Sequence, residues 1–127
     1  MWHLDGAAEI LLHPKSRLAG IGVEVAFHCR INNSIEPYWV VNNQAAYSTY
    51  QRDHLAAQGF FFEKRHEGDV TLLTVKVNAT ADKNETQVYC ISLPWPGITS
   101  HNATLLIIAG IIVIKLLHGH GVVLIIN

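Results

Sequence analysis

The chain has 127 residues, half of them hydrophobic, and a formal net charge of −1. That length holds one domain, and the composition supports one hydrophobic core and excludes a disordered chain. Its nine Lys and Arg are scattered and form no stripe, which excludes an electrostatic case for binding nucleic acid or an anionic membrane surface.

Residues 1–7 read as an N-terminal extension. Met1-Trp2-His3-Leu4-Asp5 has neither the basic nor the apolar segment of a secretory leader, so either the leader has been removed or the chain is a fragment. Beyond it, period-two alternation dominates. Val23, Val25, Phe27 and Cys29 alternate with Glu24, Ala26, His28 and Arg30, a strand with one face in a core, and Gly20 and Gly22 mark the turn before it. Pro37 leads into the strand Tyr38-Trp39-Val40-Val41, which Asn42-Asn43 closes as a turn. Only the segment from Arg52 to Gln58 has the pattern of a helical turn. Phe60-Phe61-Phe62 is a short strand after Gly59, and a longer one runs through Val70, Leu72, Leu73, Val75 and Val77. Thr86, Val88 and Cys90 alternate with Gln87, Tyr89 and Ile91, and the segment from Ala103 to Ala109 reads as a buried strand ending at Gly110. Short strands between Gly, Pro, Asn and Asp turns predict an all-β antiparallel sandwich or barrel.

The tail, residues 111–127, has two readings. As a truncated membrane anchor it is interrupted by Lys115, His118, His120, Gly119 and Gly121, where a span wants about 20 mostly apolar residues. Its β-branched content instead favours an extended hairpin, adding to a sandwich edge or donating a strand to another molecule. His118 and His120 are too few to hold a metal, and no metal or cofactor is expected.

Two cysteines lie sixty-one positions apart. In the cytosol they would be two reduced thiols; in an oxidising compartment they read as one long-range disulfide. Closing that loop would stabilise the fold by about 4 kcal/mol on the chain-entropy model. Four N-x-S/T sequons, at Asn32, Asn78, Asn84 and Asn102, argue together for the secretory pathway and for N-linked glycans. Asn78 and Asn84 bracket one turn and compete for modification.

Cys29, Trp39 and Cys90 stand in the order and spacing of an immunoglobulin domain, each in phase with its strand's apolar face. From about Ala8 to Gly110 the chain resembles the immunoglobulin superfamily, in its V-like or intermediate set. Asn84-Glu85-Thr86-Gln87-Val88-Tyr89-Cys90 is similar to the family's D-x-A-x-Y-x-C signature, and Val75 and Val77 sit where the family places a core pair. The resemblance implies a two-layer antiparallel immunoglobulin-like β-sandwich over residues 8–110, with an intersheet Cys29–Cys90 disulfide and Trp39 packed on it. The departure is Val88, where the family usually has the tyrosine-corner Tyr; the turn before that strand must be held differently, and an antibody chain is disfavoured.

No serine has a nucleophile-elbow context and no Gly-rich loop opens a helix, so the chain is expected to be no enzyme. Recognition is left, at one of two surfaces. With Trp39 and Cys90 facing in, Tyr38, Val40, Tyr89 and Ile91 face out and form an apolar patch that is either an interface or covered by the Tyr47–Tyr50 segment or the tail. The second surface is the tip Ser92-Leu93-Pro94-Trp95-Pro96-Gly97, where Trp95 is either a rigid anchor or folded back on the sandwich. The function expected is a secreted or cell-surface recognition or adhesion module, as in a receptor ectodomain, binding a protein partner or another copy of itself. The alternative is a structural subunit of an extracellular glycoprotein assembly joined through the tail.

Overall fold

The computed structural model describes residues 7–94, 97–116 and 119–126, with side chains described through Ile108. In chain order the elements are β1 (Glu9–Leu12), β2 (Arg17–Gly20), β3 (Glu24–Asn32), β4 (Ile35–Val41), β5 (Gln44–Ala45), α1 (Thr49–Ala57), β6 (Phe60–Glu67), β7 (Val70–Asn78), a 3-10 turn (Ala81–Lys83), β8 (Thr86–Leu93), β9 (Ile98–Thr99), β10 (Ala103–Leu116) and β11 (Gly119–Ile126). One sheet runs β1-β3-β7-β6; the other runs β11-β10-β8-β4-β5, with β2 parallel to β10 and β9 folded back on β8. This is an immunoglobulin-like β-sandwich.

Alternation places the core. Val25, Phe27, Cys29 and Ile31 from β3 and Leu73, Val75 and Val77 from β7 meet Trp39, Val41, Val88, Cys90, Leu105 and Ile107 from the other sheet, all buried. The Cys29–Cys90 disulfide crosses between the sheets with its Cα atoms 6.5 Å apart, and Trp39 is directly opposite Cys90 on the neighbouring strand. Burying apolar area on two inner faces is what drives such sheets together.

Several expectations need correction. Val23 is half exposed rather than in the core, because the ladder with β7 starts one residue later, at Glu24↔Asn78, and Val23 belongs to the preceding turn. β1 and β2 are strands that the sequence pattern does not announce, since each is only four residues long and carries no clear alternation. The helix starts earlier than its pattern suggests. Ser48 caps it with a capping box, its hydroxyl accepting from the Gln51 N–H while the Gln51 side chain accepts from the Ser48 N–H. β10 does not stop at Gly110. The register shifts between Ile108 and Gly110, so the glycine sits at a bulge, and the strand continues through β-branched residues to Leu116. Beyond that point β10 pairs with β11, from Ile111↔Leu124 to Leu116↔Gly119, which puts Gly119 and Gly121 inside β11 and not in the turn. His118 lies outside the described residues, as do residues 1–6 of the extension.

The turn before β8 shows how the missing tyrosine corner is replaced. Val88 is buried in the core, and the Thr86 hydroxyl donates 2.7 Å to the Lys83 carbonyl. Asn84 extends the β8–β10 ladder by one rung, its Oδ1 accepting from the Ile107 N–H at 2.8 Å. Within the turn Asp82 accepts from Lys83 and Thr80, which holds its carboxyl down to about 2.

Candidate recognition face

The outer face of the β10-β8-β4-β5 sheet is built by register. Tyr38 stands beside Ile91, and Val40 between Tyr89 and Ala45. Tyr38, Tyr89 and Ile91 are half-buried. Val40 is not exposed as the sequence suggests: at 7% it is buried. A short β-branched side chain flanked by a larger ring on the adjacent strand is covered by its neighbours, even on an outward position.

Tyr47 joins this face. Its ring meets Tyr38 edge-on, centroids 5.0 Å apart at 71°, and its hydroxyl donates to Glu36 Oε2 at 2.7 Å. That hydrogen bond, followed by burial and the nearby carboxylate charge, raises the Tyr47 pKa. The ring flanks Tyr38 without covering it, since Tyr47 itself is 43% exposed and Tyr50 is 81% exposed. What survives is a strip of Tyr38, Tyr89 and Ile91 on adjacent strands, continued by Tyr47 from the loop between β5 and α1. Arg52 fixes one end, donating to the Tyr47 carbonyl and to Thr49 Oγ1. The signal for Tyr47 was present in its spacing from the β4–β5 turn, but ring-on-ring contact needs the hairpin to fold first.

Trp95 lies outside the described residues. Beside it, the Gly97 N–H donates to the Pro94 carbonyl, and Gly97 has φ +72°, a left-handed backbone that glycine adopts without strain. The sequons are spread over the molecule. Asn32 is half-buried at the end of β3, Asn78 is exposed at the end of β7, Asn84 is half-buried with its Oδ1 engaged, and Asn102 is exposed just before β10. Because Ala103 pairs with Val88, Asn102 follows the register to a place beside Tyr89. Among the described residues no group of three His, Cys, Asp or Glu could hold a metal ion, and no helix is long and apolar enough to cross a membrane.

A second arrangement lies at the opposite edge. His13 and His101 stack with ring centroids 3.9 Å apart at 13°, and the His101 N–H donates to His13 Nδ1 at 3.0 Å. Three residues on, the Thr104 N–H donates to Ser16 Oγ at 2.9 Å. Together they pin the β1–β2 crossover onto the start of β10. Burial, then the neighbouring His101, lowers the His13 pKa below its ordinary 6.5. Lys15, Arg17 and His28 line the same depression as His13, and no carboxylate is among its lining residues. The folded state therefore binds fewer protons than the unfolded chain just below pH 6.5, and the stabilising contribution, present above that pH, is lost as pH falls. The melting temperature is expected to drop on acidification from about 7 to about 5, and His13→Gln is expected to flatten that slope. A slope unchanged in the variant would assign it to other groups.

No family model matches the chain, and no curated protein matches it. Solved structures do. The D1-D2 pair of Rst superposes with a TM-score of 0.64 at 19% identity, over 88% of this chain and 54% of that one. The N-terminal eight Ig domains of Down Syndrome Cell Adhesion Molecule give 0.61 at 12% identity, over 86% and 13%. The titin z1z2 domains in complex with telethonin give 0.58 at 19% identity, over 84% and 50%. The chain thus spans about half the length of the Rst and titin chains it matches. With the two sheets, their strand order and the Cys29–Cys90 bridge across them, the chain is an immunoglobulin-like domain.

Proposed function

We propose that the chain is a non-enzymatic extracellular recognition module that binds a protein partner, or a second copy of itself, through the strip of Tyr47, Tyr38, Tyr89 and Ile91. The observation that carries this reading is the strip itself: three tyrosines and an isoleucine at one sheet face, all partly accessible. Tyrosine offers a large contact area at low entropic cost together with a polar tip, the profile of interface anchors. The disulfide and the sequons at Asn32, Asn78, Asn84 and Asn102 support a secreted or cell-surface setting with N-linked glycans. One structural neighbour is a cell adhesion molecule, which fits an adhesion role.

The test uses the full chain made in a eukaryotic secretory host. Sedimentation measures self-association, and a tagged, clustered form measures attachment to cell surfaces. Tyr38→Ser and Tyr89→Ser are expected to reduce one or both by roughly tenfold, the scale of a hot-spot loss. Unaltered behaviour of both variants in both assays would refute the face. Assembly through the tail is a second reading, favoured by the backbone of β11, which among the described residues pairs only with β10 and so leaves one edge open. Deleting residues 111–127 would then abolish association while the tyrosine variants leave it intact.

A further inference from the structure

One cleft stands apart from that face and does not depend on it. After the Leu12↔Arg30 pair the chain leaves β3 and crosses to the other sheet, where β2 pairs with β10. Among the described residues no strand pairs with β3 from Ala26 to His28 on the side away from β7, and a cleft of about 250 Å3 opens at that edge. His13, Lys15, Arg17 and His28 line it, with apolar surface from Leu12 and Phe27, and no carboxylate is among the lining residues. The chain as a whole carries a net −1, so this basic lining is a local arrangement and not a reflection of overall charge.

His28 Nδ1 already meets Thr74 Oγ1 at 3.0 Å, but Lys15, Arg17 and His13 keep donors that the fold does not use. Among the described residues Lys15 makes no ion pair and no side-chain hydrogen bond. Arg17 gives one N–H to the Ala26 carbonyl at 3.3 Å, out of the five its guanidinium carries. His13 accepts at Nδ1 from the His101 N–H, so the neutral ring must carry its proton on Nε2 and is a donor there. The Ala26 carbonyl turns to Arg17, toward the open edge. By the two-residue alternation of a strand, His28 turns its backbone N–H the same way.

We propose that this cleft is an oxyanion site, taking a sulfate-type group on Lys15 and Arg17 with the imidazole N–H of His13 as a neutral donor. Two full positive charges with no carboxylate among the lining residues match a sulfate in charge, and a guanidinium suits paired oxygens. The cleft is smaller than a pocket that would enclose a whole small molecule, so it takes one group and leaves the rest of a ligand outside. That group could come from free sulfate or from a sulfate ester on a sugar.

The test is a titration of the full chain with inorganic sulfate and, separately, with a sulfated monosaccharide, followed by backbone amide shifts. Saturable shifts clustered on residues 13, 15–17 and 26–28 are expected. Lys15→Gln with Arg17→Gln should weaken binding roughly tenfold or more, since charged hydrogen bonds are lost. Lys15→Gln alone should weaken it as well, and it removes no bond that holds the fold. Lys64→Gln, an exposed lysine that does not line the cleft, and Tyr89→Ser should leave it unchanged. Saturation by sulfate would make the free ion a ligand; saturation by the sulfated sugar alone would make an esterified group the ligand. Shifts that do not saturate with either, or an equal loss in Lys64→Gln, would overturn the site.

Discussion

Replacing both bridging residues, Cys29→Ala with Cys90→Ala, is expected to lower the unfolding free energy by about 4 kcal/mol, read from urea denaturation. The sequence separation is 61, and opening a loop of that length returns conformational freedom mainly to the unfolded chain. The native structure adds to the loss, because both cysteines have 0% exposure and their sulfurs fill the space between the sheets. A domain of this size has roughly 5–15 kcal/mol in total, so the variant would be close to its limit. Alkylation of the native, unreduced protein should label no thiol. Labelling of both cysteines, or a stability unchanged by the double variant, would contradict the bridge.

Trp39→Ala is expected to cost about 3–5 kcal/mol in the same measurement. The indole is 2% exposed, and its strand position is directly opposite Cys90. Its Nε1–H is buried without a hydrogen-bond partner among the described residues. Removing the ring therefore strands no acceptor, and the whole loss is packing and cavity. Trp39→Phe separates the two contributions. It keeps part of the ring volume and removes a polar group whose unpaired burial costs about 1–3 kcal/mol, so it should lose far less than alanine. A phenylalanine variant as damaged as the alanine one would mean that the N–H has a partner, such as a bound water. A negligible loss in Trp39→Ala would remove Trp39 from the core.

These two predictions rest on features legible before any folding. Val25, Phe27 and Cys29 share a phase, as do Thr86, Val88 and Cys90, and phase along one strand is a property of the local chain. The same holds for Asn42-Asn43, whose positive φ values of 48° and 64° match the left-handed conformation that asparagine tolerates in a turn. The order Cys29, Trp39, Cys90 carried the sandwich because three strands had to agree on one inner face. The capping box at Ser48 and Gln51 is equally local, although the helix behind it has a weak apolar stripe and buries Leu55 alone.

Tertiary structure decided what depends on partners distant in the chain. Val40 has the outward phase of Tyr38, yet it is buried, because exposure on a sheet depends on the neighbouring strands, here Tyr89 and Ala45. Thr86 takes over from a tyrosine corner through a carbonyl that approaches only once the 3-10 turn has formed. Gly110 reads as a stop and acts as a bulge, since a strand ends where its pairing ends and β11 supplies more of it. The contact of His13 with His101 joins positions 88 apart, and the basic cleft exists only because the chain changes sheets between Leu12 and Arg17. Periodicity reports which side of its own strand a residue takes. Which strand comes to lie beside it is set by the burial of both sheets at once, and that is a property of the whole fold.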